Sequence, residues 1–178
     1  QYQEIEDVPY NLYSDVEGET IILNSFGMDL MQKTKLYYYV LSGLAKRDER
    51  SKTAMRIKMG QGELGDIDYL ISKVGQEAVD LLEAAPVESG VYDVILRNDV
   101  AADLLSAMTS IFSGEAVEKG ISPVKDRLHE VIGSDKLTIV DDPMNEKALI
   151  HRKFDDEGIM TQRKIIVEKG RLEQFLHN

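Results

Sequence analysis

The sequence predicts an α+β fold with largely antiparallel sheets and a few packed amphipathic helices. Three observations support this class. Strand-like segments rich in Tyr, Val and Ile occupy positions 1–60, the apolar period changes from two to about three and a half after Asp66, and strand-like segments with acidic or glycine turns return near the carboxyl end. Because the chain starts with Gln and its last hairpin is barely complete, we expect a fragment of a longer chain.

The first part of the chain predicts an antiparallel meander. Its candidate strands are "GETIILNS", "KTKLYYYVLSGLAK" and "SKTAMRIKMG", and the charged turn "RDER" joins the last two. The next segment, "GQGELGD" at 60–66, has the G-x-G-x-x-G spacing of a dinucleotide-binding loop. That site requires alternating strands and helices, which the meander lacks, so we interpret the glycines as an ordinary loop.

Amphipathic helices are predicted in the middle of the chain. The first is capped by Asp66 and stopped by Pro86, which gives a helix over 66–85. The second follows the strand-like "VYDVILR", is capped by Asn98 and ends at Gly114. A third, shorter helical segment is predicted in "SPVKDRLHEVIG". The apolar faces of the first two helices comprise Ile67, Leu70, Ile71, Val74, Ala78, Leu81, Leu82 and Ala85, and then Val100, Leu104, Leu105, Met108, Ile111 and Phe112.

The last part of the chain predicts strands in "KLTIVDD", "IMTQRKIIVEKG" and "RLEQFLH", with "EKGR" at the tip of the final hairpin. The helix stop and the turn residues of "PVESG" place a boundary near residues 86–90. We therefore predict one region over 1–87 and a second over 88–178.

Composition and charge exclude several classes of function. A net charge of −11 and a pI near 4.7 oppose binding to the phosphates of nucleic acids. No apolar stretch approaches the roughly 20 residues of a membrane-spanning helix. The absence of cysteine excludes a disulfide scaffold, a thiolate metal site and a cysteine nucleophile within these 178 residues. We expect a cytoplasmic protein with no nucleic-acid or membrane partner.

Histidines and clustered carboxylates are the candidate metal ligands. The three histidines, His129, His151 and His177, lie too far apart in sequence to form a helical zinc pair. Two acidic clusters, at 141–142 and 155–157, could supply oxygen ligands to a hard cation or divide acid and base roles. The pattern is not that of an EF-hand loop, and neighbouring side chains on a strand point to opposite faces, so structural turns rich in capping carboxylates are the favoured interpretation.

Four segments occur in an order that resembles a known family. They are "VYDVILRNDVAADLLSAM", "SGEAVEKGIS", "LTIVDDP" and "FDDEGIMTQRKIIVEKGRLEQFLHN", and the last contains F-D-D-E-G-x-x-T-x-R. In combination they resemble the TldD/PmbA family, also called modulator of DNA gyrase or peptide maturation proteins. Residues 88–178, which resemble the start of the family's C-terminal domain, carry most of the likeness, and residues 1–87 fit its central region.

The resemblance implies both an activity and a missing site. Family members form a cytoplasmic heterodimer of a TldD and a TldE (PmbA) subunit that performs metal-dependent proteolysis in peptide maturation or degradation. In TldD-type chains the helix after the "VIL" strand holds an H-E-x-x-x-H motif, whose histidines bind the metal and whose glutamate is the catalytic base. Aligned on "LL", those positions are Ser106, Ala107 and Ile111 here. Serine is a poor zinc ligand, and alanine and isoleucine can neither coordinate a metal nor accept a proton.

The resemblance therefore implies a PmbA (TldE)-type chain, a pseudo-enzyme subunit without catalytic residues, metal or cofactor of its own. Zinc or another divalent metal is expected only in a TldD-type partner, with which this chain would form a heterodimer; a homodimer is the other option, and peptides are the expected substrates. The acidic segments are then a structural or interface motif, which comprises Asp141, Asp142, Phe154, Asp155, Asp156, Glu157, Gly158 and Thr161.

Two alternatives stay open. The chain could be an active metal-dependent peptidase in its own right, with a carboxylate site formed by Asp141, Asp142 and the cluster at 155–157. A regulator that acts directly on gyrase or DNA follows only from the family's older name, and the acidic net charge weighs against it.

Overall fold

The chain folds into two units, each built on an antiparallel sheet. The computed structural model describes residues 2–62 and 65–177. The first unit comprises Gln1–Ser89 with Lys147–His151, and the second comprises Gly90–Glu146 with Arg152–Asn178. The predicted α+β class with antiparallel sheets is confirmed. In the described part of the chain, no helix is both long and apolar enough to cross a membrane.

A 19-residue strand organises the sheet of the first unit. This strand, β3 (Asp29–Arg47), pairs antiparallel with β1 (Ile5–Asp7), β2 (Asn11–Leu23) and β4 (Arg50–Gly60). Because the stretches of β3 that pair with β1 and with β2 both overlap the stretch that pairs with β4, β1 and β2 share one edge of β3 and β4 occupies the other. The predicted meander is confirmed.

Helix α1 (Ile67–Asp80) covers one face of this sheet. The Asp66 carboxylate accepts a hydrogen bond from the Tyr69 N–H at 2.9 Å, so the predicted cap is confirmed. A 3-10 turn over Leu81–Glu83 follows, and helical structure ends before the predicted residue 85. Residues 63 and 64 of the predicted glycine loop lie outside the described residues. Small side chains let the helix approach the sheet closely, and the core there comprises Ala45, Ala54, Ala78 and Leu82.

The second unit combines short helices with a three-stranded sheet. Its β5, β6 and β7 pair antiparallel in chain order. Lys169 and Gly170, with φ of 46° and 82°, form the tip of the last hairpin, as predicted. The buried core comprises Phe112, Val124, Ile166, Val167 and Leu172. The elements are α2 (Asn98–Met108), a 3-10 turn (Thr109–Phe112), α3 (Gly114–Glu118), β5 (Ile139–Asp141), β6 (Lys164–Glu168) and β7 (Arg171–Leu172).

The predicted strand "VYDVILR" is wrong, since residues 91–97 form no strand. Its apolar side chains are exposed, and Val91 and Ile95 are 103% and 98% exposed. A segment of strand-forming residues produces a strand only where a neighbour supplies ladder hydrogen bonds, and no strand among the described residues pairs with this segment.

The predicted ends of the second helix also need correction. Asn98 is the first helical residue and not the cap; Arg97 holds the cap position and makes no side-chain cap hydrogen bond. Gly114 begins α3 and does not end α2, because a 3-10 turn stops α2 five residues before the predicted end.

The predicted third segment, residues 122–133, forms single turns and a bridge at Val131 but no continuous helix. The N–H groups of Lys125, Arg127 and Glu130 donate to carbonyls three residues back, whereas two others, which a longer helix would use internally, bond to the last hairpin. His129 donates to the Leu172 carbonyl and Ile132 to the Gly170 carbonyl, each at 2.8 Å. Tertiary hydrogen bonds thus override the local helical pattern.

The close approach at Gly170 predicts a stability effect. A Cβ there would lie 2.4 Å from the Gly133 carbonyl oxygen, in addition to the strain of a φ of +82°. We expect Gly170→Ala to lower the free energy of unfolding by more than about 2 kcal/mol. Gly120→Ala is the matched control in the same unit: its φ is +71°, but the nearest atom, Lys125 Nζ, is 3.6 Å away, so the loss should stay near 1 kcal/mol. Urea denaturation measures both, and equal losses would contradict the backbone contact.

Candidate functional site

The three positions implied by the resemblance lie where α2 ends. Ser106 and Ala107 occupy the last turn of the helix, and both are exposed. Ile111 lies in the following 3-10 turn and packs, partly buried, against the core of the second unit. The structure therefore places all three along one short stretch of backbone.

Local hydrogen bonds end α2 at this point. The Ser106 carbonyl accepts from the Thr109 N–H and also from the Thr109 hydroxyl, the latter at 2.7 Å. Bonds across three residues tighten the backbone into a 3-10 turn, and a threonine that bonds back to the preceding turn favours that change. The positions of the resembled motif thus straddle a change of helix type.

Helix α2 itself buries no residue. Of the predicted apolar face, only the end that lies in the 3-10 turn, Ile111 and Phe112, packs into the core. The other members are exposed, with exposed fractions of 41% to 52%, and comprise Val100, Leu104, Leu105 and Met108. The helix therefore presents an apolar stripe to solvent and is held at one end.

The residues at these positions do not fit a metal ion. A divalent metal at this helix end would need imidazole or carboxylate donors. Ser106 offers a hydroxyl, Ala107 a methyl group and Ile111 an aliphatic chain that is engaged in core packing. These three side chains therefore supply neither a metal-ligand set nor a general base.

A short backbone pairing anchors the carboxyl end of the α2 segment. Leu176 N–H donates to the Phe112 carbonyl at 2.8 Å, and Gly114 N–H donates to the Leu176 carbonyl at 2.7 Å. The two chain segments run parallel at this isolated bridge between Ser113 and Leu176. The His177 ring lies directly on Gly114, where an added Cβ would be 2.2 Å from its Nδ1 atom. A side chain at position 114 and the imidazole of His177 therefore compete for one space.

The segment "FDDEG" folds into a tight, self-capped turn. The Asp155 carboxylate accepts from the N–H groups of Glu157 and Ile159 at 2.9 and 2.8 Å. Phe154 is buried and its backbone bridges to Met160, while Gly158 has a φ of +85°. Asp156 is exposed on the outside of the turn. The Asp155 side chain thus stabilises the turn by accepting hydrogen bonds from N–H groups of the same turn.

A cleft of about 550 Å³ collects part of the predicted acidic motif. Asp141 at the end of β5 lies on its wall with Asp155 and Thr161. Thr161 is fixed by its N–H, which donates to the Lys153 carbonyl at 2.9 Å, and by its hydroxyl, which donates to the Arg152 carbonyl. The same walls carry His177 and also Arg152, Gln162 and Lys164, which the sequence did not single out. Nothing in their spacing indicates that they meet, since the hairpin brings together residues far apart in the chain.

Two carboxylates of the alternative metal site interact with other partners. Asp142 lies 3.7 Å from Arg163 Nε, and Asp155 caps its own turn. His129 Nδ1 lies 3.6 Å from Glu173, with no second acidic residue to complete a ligand set. Among the described residues, no three His, Asp or Glu side chains are grouped closely enough to hold a metal ion.

One surface ion pair of this unit lowers the pKa of a carboxyl group. The Lys119 ammonium donates to the Glu115 carboxylate one turn away on α3 and lowers the pKa of that carboxyl group. Both side chains are exposed, so solvent screens the pair and it contributes little to stability.

Comparison with known protein families places both parts of the chain in one family. The profile described as the PmbA/TldA metallopeptidase central domain matches residues 3–85. The profile described as the PmbA/TldA metallopeptidase C-terminal domain matches residues 89–178.

Individual relatives agree with these profiles. The protein named metalloprotease MJ0996 from Methanocaldococcus jannaschii is 29% identical over 170 residues, which are 93% of this chain and 38% of that protein. Metalloprotease PmbA from Escherichia coli O157:H7 is 35% identical over 83 residues, 47% of this chain and 18% of that protein. The chain thus spans well under half the length of the relatives it matches.

Solved structures share the fold. The Thermotoga maritima protein TM0727, described as a candidate modulator of a DNA gyrase, superposes with a TM-score of 0.91 at 31% identity and covers 99% of this chain and 41% of its own. TldE from Thermococcus kodakarensis superposes with a TM-score of 0.80 at 22% identity, over 92% of this chain and 38% of its own, which shows a common fold.

The contact between Gly114 and His177 predicts a rescue experiment. Gly114→Ala should lower the free energy of unfolding by about 1–2 kcal/mol, because the new methyl group must displace the imidazole. In a His177→Ala background the same change should cost less than about 0.5 kcal/mol. A double-mutant cycle by urea denaturation checks this, and equal costs in both backgrounds would contradict the contact.

The self-capped turn predicts different roles for two adjacent aspartates. Asp155→Ala removes the acceptor for two backbone N–H groups, so we expect a loss of about 1–2 kcal/mol in the free energy of unfolding. Asp156→Ala, at the exposed neighbouring position, should change it by less than about 0.5 kcal/mol. Equal losses of unfolding free energy at the two positions, measured by thermal or urea denaturation, would show that the capping hydrogen bonds do not stabilise the turn.

Proposed function

This chain belongs to the PmbA/TldD metallopeptidase family, and we propose that it is a metal-free, non-catalytic partner subunit of a TldD/TldE-like peptidase complex. The complex would act on peptides in the cytoplasm, in maturation or degradation. The zinc or other divalent ion, and the general base, would belong to a TldD-type partner. The region described here would supply part of the framework that holds the catalytic subunit in place.

One observation carries this proposal: the residues at the end of α2. In a metallopeptidase of this kind, two imidazoles hold the metal and a carboxylate takes the proton of the attacking water. Ser106, Ala107 and Ile111 supply none of these groups, and Ile111 is committed to the core. Ser106 and Ala107 are therefore exposed to solvent, and Ile111 packs against the core.

The surroundings of these positions support a role in assembly. The 3-10 turn after α2 is anchored through Phe112 and Gly114 to Leu176, so the segment keeps a fixed place although it lacks ligands. The apolar stripe of α2 remains exposed, and exposed apolar surface of this kind is typical of a face that another protein surface covers. The helix lacks metal ligands and a general base but exposes an apolar face. This combination is expected of a subunit that contacts a catalytic partner.

Metal content tests the proposal directly. The full-length protein, purified alone without chelators and analysed by elemental mass spectrometry, should contain far less than one divalent ion per chain. A TldD-type protein with an intact H-E-x-x-x-H helix, prepared in parallel, is the positive control and should retain its metal.

Stoichiometric, tightly bound zinc in the full-length protein would contradict the proposal. In that case Asp141→Asn and Asp142→Asn identify the source. Metal that is lost with either substitution would establish the carboxylate alternative, whereas metal that both variants retain would come from other residues.

A further inference from the structure

The sheet of the first unit has a second face, opposite α1, that we call the open face. The residues of β3 that contact α1 occupy odd positions, as Tyr39, Leu41 and Ala45 show by their packing with Val74 and Ala78. Successive side chains on a strand point to opposite faces, and directly paired residues of neighbouring strands share a face. The register then assigns to the open face Leu12, Ser14, Val16, Gly18, Thr20 and Ile22 of β2, Leu30, Gln32, Thr34, Leu36, Tyr38, Val40, Ser42, Leu44 and Lys46 of β3, and Ser51, Thr53, Met55, Ile57 and Met59 of β4.

Charge is divided unequally between the two faces. Within these three fully described strands, Lys46 at the end of β3 is the only charged residue of the open face. The α1 side of the same strands carries Asp15, Glu17, Glu19, Asp29, Lys33, Lys35, Arg47, Arg50, Lys52, Arg56 and Lys58. Because 30% of the residues in the chain are charged, the near absence of charge on the open face is expected only if that face is kept away from water.

The open face is accessible over most of its length; the exceptions include Gln32, whose Nε2 donates to the His151 carbonyl at 2.5 Å, and Ser42, which is buried. Val16, Met55 and Ile57 are 48%, 52% and 52% exposed. The three strands have 13, 19 and 11 residues, which at about 3.4 Å per residue and about 4.8 Å between strands gives a flat area of roughly 700 Å². The largest apolar patch on a typical monomer is about 300–600 Å² and is often functional, so a face of this size, more than half of whose residues are apolar, is a candidate contact surface.

We infer that the open face is covered within the same polypeptide, by the domain that precedes residue 1 in the full-length protein. The family profile that matches residues 3–85 describes a central domain, and the chain spans 38% of metalloprotease MJ0996 and 41% of TM0727. Family members thus have a large region outside the one described here, part of which comes before the central domain.

The composition of the open face favours a permanent intramolecular contact. Its apolar members are aliphatic or Met, except for Tyr38, and it has no Arg within the sheet. Transient interfaces with separate proteins concentrate Trp, Tyr and Arg at their energetic centres and keep a polar rim. An aliphatic, uncharged layer resembles the interior of a domain, where sheets and helices of one chain pack face to face.

A photo-crosslinking amino acid on each face of β4 tests this inference in the full-length protein. The probe replaces Ile57 on the open face or, as the matched control, the exposed Lys52 on the opposite face. After irradiation, mass spectrometry locates the cross-linked peptides. From position 57 we expect cross-links to the segment before residue 1, in at least about tenfold higher yield than from position 52, because only the former is held in a packed contact.

Cross-links from position 57 to a second copy, to residues 90–178 or to another protein, or equal yields at the two positions, would overturn the inference. A smaller probe guards against disruption by the bulky photo-group. Ile57→Cys should react with a maleimide at least about tenfold more slowly than Lys52→Cys in the native full-length protein, at all protein concentrations. Equally fast labelling, or protection that disappears on dilution, would exclude an intramolecular cover.

Discussion

The backbone pairing of Phe112 and Gly114 with Leu176 is the constraint on which the second unit depends. Two hydrogen bonds of 2.8 and 2.7 Å tie the end of the α2 segment to the chain that follows the last hairpin. Around them lies the apolar core of the unit, in which Phe112 packs with Ile166 and Val167. Because α2 buries no residue of its own, this pairing and the Phe112 side chain fix the direction in which the helix leaves the core. The positions of the resembled metal motif sit immediately before the anchor, so their geometry is set by packing and not by ligands.

Much of the first unit could be predicted from local pattern. Alternation and the "RDER" turn define the meander, and Asp66 with the following helical spacing defines α1. Prediction failed where the structure depends on backbone partners that are distant in the chain or that the described residues do not supply. The turns around His129 form because their N–H groups bond to the last hairpin, and residues 91–97 form no strand because no ladder partner lies among the described residues.

The candidate site could likewise be predicted only in part from the sequence. The resemblance located Ser106, Ala107 and Ile111 on one helix end, but the cleft that joins Asp141, Asp155, Lys164 and His177 depends on tertiary contacts that no spacing records.

Two of the apolar surfaces that are exposed in the described residues differ in composition. The stripe of α2 is narrow and lies beside the positions of the resembled motif, which suits contact with a catalytic partner. The open face of the β2–β3–β4 sheet is broad and nearly free of charge, which suits the interior of a larger chain. The first surface is the one proposed to contact a catalytic subunit, and the second is the one proposed to be covered within a longer chain.

The central claim, that this chain belongs to a peptidase complex without performing its chemistry, is tested most directly by peptide hydrolysis. The full-length protein would be assayed against a mixture of unstructured peptides, alone and after co-purification with a TldD-type protein encoded in the same genome. We expect no hydrolysis by the protein alone, and hydrolysis by the complex that a chelator abolishes. Chelator-sensitive hydrolysis by the protein alone would contradict the claim and show that it carries a metal site of its own.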